Sequence, residues 1–330
     1  MAEGKDAHGW AARDASGHLS PYHFSRRVQR DDDVTIKVLF CGLCHTDLHV
    51  IKNEFGNAMY PVVPGHEVVG VVTDVGRGVT KFKPGDTVGV GYFVDSCRAC
   101  DSCGKGTSYC PQLMPTSNGV GLEARTELRG GQTGSWPPCS GCTLQVYMSL
   151  HLRRCLDDGG ATTQGGFSDV LVVRVHYVVW VPSSLPPAGA APLLCAGVTV
   201  FSPLVQYALN APGKHLGVVG LGVRVQVWQG VRDEGHRDEA EMVVVGFPSK
   251  PLEVPAFGLV TGGKRVAGSA GGGVGECQAM LDFAGEHGIT ADVEVVGMDY
   301  VNTAIQRLER NDVRYGFVVD VAGSKLGVAA

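Results

Sequence analysis

Four cysteines in one short segment have the spacing of a metal site. Cys97, Cys100, Cys103 and Cys110 follow the pattern C-x2-C-x2-C-x6-C. Spacings of two residues let successive thiolates turn towards one ion, and four thiolates suit a closed tetrahedral zinc site. Because a closed site leaves no coordination position open, we expect this site to be structural. Free thiols in a surface loop and an iron–sulfur cluster are the alternatives that the spacing leaves open.

A second set of candidate ligands lies earlier in the chain. The run CGLCHTDLH begins at Cys41, and the run PGHE begins at Pro64. Cys44, His66 and Glu67 in these runs are potential zinc ligands. The same residue types also fit a small buried cysteine, a hydrogen-bonded histidine or a redox pair of Cys41 and Cys44. Spacing alone therefore leaves the second metal site undecided.

A longer pattern around these residues resembles a known family. The chain reads GHE-x2-G-x5-G-x2-V from Gly65, KPGD from Lys83 and LCAGVT from Leu194. With CGLCHTDLH and the four-cysteine segment, these motifs resemble the zinc-containing alcohol dehydrogenases of the medium-chain superfamily. Within it, the chain is most similar to the plant cinnamyl alcohol dehydrogenases and the mannitol-type dehydrogenases beside them. The recognisable segments are about 8–113, 157–222 and 243–325.

The resemblance implies two zinc ions per chain. Cys44, His66 and Cys195 match the ligands of the catalytic zinc. Glu67 matches the acidic residue near that metal, which can exchange with the ligand at the open position. The four-cysteine segment matches the structural zinc site, although the family usually has seven residues before the last cysteine and this chain has six. We expect the loop to close despite the shorter spacing.

The resemblance assigns catalytic roles to three residues after Cys44. Asp47 matches the group that orients a metal ligand, and Thr46 and His49 match a proton relay. Hydride can leave an alcohol carbon only as the oxygen becomes an alkoxide, which zinc favours as a Lewis acid. The Thr46 hydroxyl can then pass the proton towards the imidazole of His49. The implied reaction is the interconversion of hydroxycinnamyl aldehydes and alcohols with NADP(H), as in lignin and phenylpropanoid metabolism.

Hydride transfer also requires a dinucleotide site. The run GKHLGVVGLG from Gly213 resembles the first strand and turn of a Rossmann unit. The G-x-G-x-x-G fingerprint then fails, because Val225 stands where the third glycine permits close packing of helix on strand. The resemblance assigns cofactor contacts to Thr46, Thr199, Gly220, Leu221, Gly222, Gly246, Ser269, Ala270 and Gly271.

The segment after this turn is too short for the rest of a normal Rossmann half. The strands and the ribose-binding acidic residue expected about twenty positions on are missing. We therefore expect weaker NADP(H) binding than in an intact relative. The alternative function is that of a catalytically impaired zinc-binding product of a frame-shifted or mis-spliced family gene.

Composition narrows the class of protein. The chain has 330 residues, 44% of them hydrophobic and 18% charged, with a formal net charge of −5. It has no excess of basic residues, so neither nucleic acid nor an anionic membrane is an expected partner. Eleven cysteines, without an apolar leader, favour reduced thiols and metal ligands over disulfides. We therefore expect a cytoplasmic protein, and the resemblance implies a small-molecule substrate and a homodimer.

The motif order predicts a fold of class α/β plus β. The resemblance implies an all-β, chaperonin-10-like (GroES-like) catalytic domain at 1–195, with the zinc lobe at 95–112 and an atypical insert at 114–154. A truncated Rossmann domain would occupy 196–272, and 273–330 would return to the catalytic domain.

Hydrophobic periodicity predicts individual elements within this organisation. Strands are expected at 34–40 and 314–321, and helices at 192–210 and 301–310. Three parallel strands are expected near 215–219, 242–246 and 265–268.

Overall fold

The described part of the chain contains strands that form one large sheet and three two-stranded sheets. The computed structural model describes residues 4–119, 162–212, 216–218, 241–247 and 252–327. Within these ranges the strands are β1 Lys5–Ala12, β2 Leu19–Arg26, β3 Asp33–Leu43, β4 Glu67–Val75, β5 Thr87–Val90, β6 Phe93–Asp95, β7 Met114–Pro115, β8 Val170–Arg174, β9 Val179–Trp180, β10 Glu241–Val244, β11 Arg265–Gly268, β12 Val293–Gly297 and β13 Gly316–Asp320. The described part of the chain thus confirms the predicted class, α/β plus β.

Short helices lie between and beside these strands. They are α1 His45–Ile51, α2 Asp101–Gly104, α3 Pro187–Ala190, α4 Ala196–Gln206, α5 Ala256–Thr261, α6 Val274–His287 and α7 Val301–Glu309. Single 3-10 turns occur at Val175–Tyr177, Ala191–Leu194 and Met298–Tyr300.

The seven-stranded sheet pairs strands from the C-terminal part of the chain with β3. Its strands lie in the order β12-β13-β3-β4-β5-β9, and β8 pairs with the first half of β3. β13 pairs antiparallel with the second half of β3, from Phe317 opposite Leu43 to Asp320 opposite Phe40. The strand that leads into the first metal-ligand motif is therefore flanked by the C-terminal segment.

Successive side chains along a strand point to opposite faces of a sheet. In this sheet both faces pack on a buried core. Val68 belongs to a core that includes α7, whereas its neighbour Val69 belongs to a second core beneath α4 and α6. Val318 and Val319 divide in the same way between the two cores. Because each face packs on helices, the sheet holds the ends of β3 and β4 rigidly.

The predicted strands at 34–40 and 314–321 are present as β3 and β13, and the predicted helix at 301–310 is present as α7. The predicted helix at 192–210 is divided. A 3-10 turn with Pro192 precedes α4, and Cys195 lies between them with φ −125° and ψ −70°. Because that backbone conformation is not helical, the chain changes direction at a predicted metal ligand.

A two-stranded parallel sheet stands apart from the large one. β10 and β11 pair from Glu241 opposite Arg265 to Val244 opposite Gly268, with α5 between them in the chain. These are two of the three predicted parallel strands. The third, near 215–219, is wrong for the residues that are described: 216–218 form no strand, and Leu216 and Val218 are exposed. A strand persists only where a neighbour pairs with its backbone, and these residues have no such ladder.

No single helix in the described part of the chain is long and apolar enough to cross a membrane. The pair Pro187–Leu194 and Ala196–Gln206 meets the requirement only jointly, and its two halves are bent by 52°.

Candidate metal centres and the cleft beside them

The turn from β3 into α1 positions the first candidate ligand. Cys44 is the N-cap of α1, with extended backbone at φ −99° and ψ 158°. Its backbone N–H donates to Oδ2 of Asp47 over 3.0 Å, and its Sγ accepts from the backbone N–H of Thr46 over 3.5 Å. This capping box fixes the thiol at the helix N-terminus, where the free N–H groups stabilise a thiolate.

Asp47 also ties this helix to the start of β4. Its Oδ1 accepts from the backbone N–H of Gly65 over 2.8 Å and lies 3.0 Å from Nδ1 of His66. The side chains of Asp47 and His66 are each only 1% exposed. With Nδ1 held by the carboxylate, the lone pair of Nε2 is directed away from Asp47 and is available to a metal. Asp47 thus contacts the ring of a predicted ligand, His66, and its orienting role stays a prediction.

Cys195 completes the group from a distant part of the chain. Its Sγ lies 3.9 Å from Sγ of Cys44 and 3.3 Å from Nε2 of His66. A tetrahedral zinc with Zn–S bonds of about 2.3 Å has S···S edges of about 3.8 Å. The ligand atoms of Cys44, His66, Glu67 and Cys195 all lie within 4.8 Å of one another. Two thiols and an imidazole at these separations fit zinc.

Glu67 lies buried against the backbone of β3. A Cβ on Gly42, its partner across the strand pair, would lie 1.8 Å from Oε2 of Glu67, so the carboxylate needs a glycine there. Burial and the nearby Cys44 raise the pKa of Glu67 well above its ordinary value. A cation between these groups would favour the carboxylate instead.

The protons of the two thiols are coupled. A hydrogen bond with Cys195 lowers the pKa of Cys44 well below its ordinary value, and the same hydrogen bond, with burial, raises the pKa of Cys195. Burial disfavours the charged form of His66, but the charge and hydrogen bond of Asp47 raise its pKa well above the ordinary value. Metal binding would therefore displace protons from Cys195 and His66.

The two residues of the predicted relay lie on α1. Thr46 is in its first turn and His49 in its last. Nδ1 of His49 lies 2.5 Å from Oε2 of Glu54, and the His49 ring packs 5.0 Å from the ring of Phe55. Glu54 was not singled out by the sequence, because it lies beyond the end of α1 and no helical spacing connects it to His49.

The four-cysteine lobe closes in space. Sγ of Cys103 lies 3.8 Å from Sγ of Cys97 and 3.6 Å from that of Cys100, and Cys110 Sγ lies 3.5 Å from Cys97 Sγ. All four sulfurs lie within 4.8 Å of one another. These separations fit the edges of a tetrahedral zinc–thiolate site. The six-residue spacing before Cys110 is therefore long enough for the lobe to close.

The charge states of these thiols depend on their local surroundings. Backbone hydrogen bonding from Ala99 lowers the pKa of Cys97 to about 6, and burial raises the pKa of Cys110 to about 12. Without a cation the four thiols cannot all ionise near neutral pH, so zinc would displace protons from the lobe.

Residues outside the cysteine pattern support the lobe. Oγ of Ser96 lies 3.2 Å from Sγ of Cys103, and the hydroxyl of Tyr177 donates to Oγ of Ser96 over 2.6 Å. Arg174 pairs with Asp95 at 2.9 Å. Sequence reasoning missed all of these, since Tyr177 and Arg174 lie more than sixty residues after the lobe in the chain and approach it only through the sheet.

A cleft opens beside Cys195. It is lined by Tyr92, Phe93, Leu194, Thr199, Gly271 and Gly272, among others. Thr199 and Gly271 are thus two predicted cofactor contacts that the fold brings next to a predicted zinc ligand.

Three further predicted cofactor residues follow the ends of the parallel strands. Gly246 follows β10, and Ser269 and Ala270 follow β11, with the N–H of Ser269 donating to the carbonyl of Val244 over 2.9 Å. Carboxyl ends of parallel strands are the usual dinucleotide edge of an α/β sheet. The Ser269 hydroxyl is buried and has no hydrogen-bond partner among the described residues. A buried hydroxyl of this kind fits a site that is completed by a polar ligand.

Three predicted cofactor residues, Gly220, Leu221 and Gly222, lie outside the described residues, as do Val225 and nearly all of the insert at 114–154. The expectation of weak NADP(H) binding therefore stays a prediction.

Comparison with known proteins gives concordant matches. The alcohol dehydrogenase GroES-like domain family matches residues 30–136. The curated protein "Probable cinnamyl alcohol dehydrogenase 8D" from Oryza sativa subsp. japonica is 55% identical, over 99% of this chain and 98% of its own. That alignment runs over 389 positions, so stretches of the relative have no counterpart among these 330 residues.

Two solved structures are similar to the whole fold. The cinnamyl alcohol dehydrogenase SbCAD4 from Sorghum bicolor has 54% sequence identity and a TM-score of 0.81, covering 98% of this chain and 100% of its own. The enzyme CAD from Helicobacter pylori, solved with NADP(H), has 25% identity and a TM-score of 0.78 over the same shares of the two chains.

Proposed function

This chain belongs to the plant cinnamyl alcohol dehydrogenases, a zinc-containing branch of the medium-chain alcohol dehydrogenases, and from that premise we propose how its residues carry out the reaction. It interconverts cinnamyl or hydroxycinnamyl aldehydes and alcohols by hydride transfer with NADP(H). The observation that carries this proposal is the convergence of Cys44, His66 and Cys195 at the cleft that Thr199 and Gly271 line.

The metal site would serve the reacting oxygen. A zinc ion held by Cys44, His66 and Cys195 would supply the Lewis acid that polarises the alcohol or aldehyde oxygen. Asp47 holds Nδ1 of His66 and the N–H of Cys44, so it fixes both ligands in one orientation. Glu67, held by close packing on Gly42, is the remaining ligand-capable group of the set.

The proton would leave along α1. The hydroxyl of Thr46 would pass the proton on, and Nε2 of His49 would accept it, because Nδ1 of His49 is engaged by Glu54. Glu54 therefore acts as a positioning residue that sets the tautomer of His49. The His49 side chain keeps 14% of its surface exposed, through which the proton would pass to solvent.

The nicotinamide side of NADP(H) would lie in the cleft. Thr199 and Gly271 line it, and Gly246, Ser269 and Ala270 approach it from the ends of β10 and β11. The orphaned Ser269 hydroxyl would find its partner in the cofactor. Gly220, Leu221 and Gly222 are the proposed pyrophosphate contacts.

Nothing in the comparisons or among the described residues favours the alternative of an impaired zinc-binding product. A direct assay decides between the two functions. Purified protein should oxidise NADPH when cinnamaldehyde or coniferaldehyde is added, and a strong zinc chelator should stop the reaction. If zinc-loaded protein consumes no NADPH with either aldehyde, the enzymatic function is wrong.

Elemental analysis tests the metal content. We expect about two zinc ions per chain, because two separate ligand groups have tetrahedral separations. Protein dialysed against metal-free buffer without chelator should retain both ions. A content below one zinc per chain would contradict the assignment of both sites.

The relay is tested by Thr46→Ala. General acid–base groups contribute at least about a hundredfold to turnover, so kcat should fall by about that factor. Zinc content should not change, because the Thr46 contact with Cys44 Sγ is made by the backbone N–H, which alanine retains. Thr46→Ser keeps the hydroxyl and should keep most activity. Parallel loss of zinc and activity in Thr46→Ala would show that Thr46 is structural.

The domain boundaries, the number of subunits and the cellular compartment are proposed from the family. The boundaries are a catalytic domain at 1–195, a cofactor domain at 196–272 and a segment at 273–330 that returns to the catalytic domain. A homodimer in the cytoplasm completes the proposal. Light scattering after size-exclusion chromatography measures the subunit number, and a fluorescent fusion in plant cells measures the compartment.

A further inference from the structure

The part of the four-cysteine lobe between Cys103 and Cys110 reaches the segment 270–273. The Ser108 hydroxyl donates to the carbonyl oxygen of Ala270 over 2.8 Å. Ser108 is only 8% exposed. The backbones also meet: a Cβ on Gly273 would lie 1.7 Å from the carbonyl oxygen of Gly106. Side chain and main chain of the lobe therefore both contact this segment.

The same segment is also contacted by α4 and α6. Oε2 of Glu276 accepts from the N–H of Gly273 over 2.9 Å and from the hydroxyl of Ser202 over 3.0 Å. The segment runs from β11 to α6 and contains three successive glycines, 271–273, with Gly271 at φ +62°. Glycines lose more conformational freedom on ordering than other residues, so this run depends on contacts from outside it.

The segment lies at the proposed cofactor site. Gly271 and Gly272 line the cleft together with Cys195 and Thr199. Phe93, on the strand that leads into the lobe, has its ring 3.7 Å from the position of a Cβ on Gly271. The lobe thus borders both the back of the segment and the cleft in front of it.

We propose that Ser108 is a positioning residue for cofactor binding: its hydrogen bond to Ala270 lets the four-cysteine lobe hold 270–273 in the conformation that receives the nicotinamide side of NADP(H). The lobe then contributes to cofactor affinity as well as to the stability of the fold. This inference rests on the proposed function. Its physical basis is preorganisation, because a backbone that is already ordered loses less entropy when the ligand binds.

The experiment compares Ser108→Ala with the wild type in the full chain. Hydrogen exchange at the amides of 270–277, measured without cofactor, should become faster in Ser108→Ala. The dissociation constant for NADPH, followed by its fluorescence, should rise about fivefold, which corresponds to one ordinary hydrogen bond. KM for NADPH should rise while kcat stays nearly constant.

Two further variants separate positioning from a general loss of structure. Ser108→Thr retains a hydroxyl and should restore slow exchange and NADPH affinity. Ser102→Ala alters a partly exposed side chain of α2 in the same lobe and should change neither. Zinc content and amide exchange at 97–110 should be the same in all variants.

Each contrary result has a defined meaning. Unchanged exchange at 270–277 in Ser108→Ala overturns the proposed contact, and faster exchange with unchanged NADPH affinity overturns the role in cofactor binding. Loss of zinc from Ser108→Ala would assign the residue to lobe stability instead. Failure of the wild type itself to bind NADPH would count against the proposed function, and the exchange result would then still decide whether Ser108 orders the segment.

Discussion

Replacement of Cys44 by serine is expected to lower kcat/KM for aldehyde reduction by at least about a thousandfold. Cys44 is one of three close donor groups, with Sγ 3.9 Å from that of Cys195, and a serine hydroxyl is a far weaker zinc ligand than a thiolate. Loss of the Lewis acid removes several kcal/mol of transition-state stabilisation, and about 4 kcal/mol corresponds to a thousandfold. A steady-state assay with zinc analysis measures the effect, with one zinc per chain retained in the other site.

The fold should survive this change. The capping hydrogen bond from the Cys44 backbone N–H to Asp47 does not depend on the side chain, and serine is itself a favoured N-cap residue. Cys41→Ala is the matched control, because Cys41 is a buried thiol three residues away and outside the ligand group. It should keep zinc and measurable activity. Near-normal activity of Cys44→Ser would show that this thiol is not a catalytic ligand.

Replacement of Cys100 by serine should lower the unfolding temperature by about 10 °C without removing the catalytic zinc. The lobe at 95–112 contains one short helix, α2, of which no residue is buried, so we expect its order to depend on the metal. Loss of a structural zinc removes binding free energy that stabilises the folded state. A loss of about 4 kcal/mol shifts the midpoint of a domain of this size by about 8–16 °C.

Calorimetry of the purified variant measures this shift. Ser102→Ala changes a residue of α2 without changing a thiol and should unfold like the wild type. Because Ser108 and Gly106 connect the lobe to 270–273, Cys100→Ser should also weaken NADPH binding. An unchanged unfolding temperature, with only one zinc lost, would show that the lobe folds without its metal.

The elements predicted with success are those with a clear period. α7 alternates buried Ala304, Ile305 and Leu308 with polar residues. In β3 the exposed Lys37 stands between buried apolar neighbours, and β13 has a short buried apolar centre. Such patterns depend on the repeat of the backbone itself, so they can be read without knowing the partner. The strand near 215–219 had the same apolar character and failed in its described part, since a strand needs a neighbour that periodicity does not supply.

The ligands of the lobe could be identified from the sequence for a related reason. Cys97, Cys100 and Cys103 lie within a few residues of one another, so short turns alone can bring their sulfurs to one point. The site formed by Cys44, His66 and Cys195 could not be identified from spacing. Cys195 is more than a hundred residues from Cys44 and His66, and only resemblance joined them before the fold did.

The candidate ligands, the four-cysteine spacing, the periodic elements and the family could thus be identified from the amino-acid sequence alone. Tertiary structure decided which distant groups lie together: Cys195 with Cys44, Tyr177 with Ser96, and Ser108 with Ala270. The physical reason is the range of the forces involved. Periodicity and short loops act between neighbours in the chain, whereas hydrogen bonds and metal ligation act over about 3–4 Å in space and require the buried sheet to bring distant segments together.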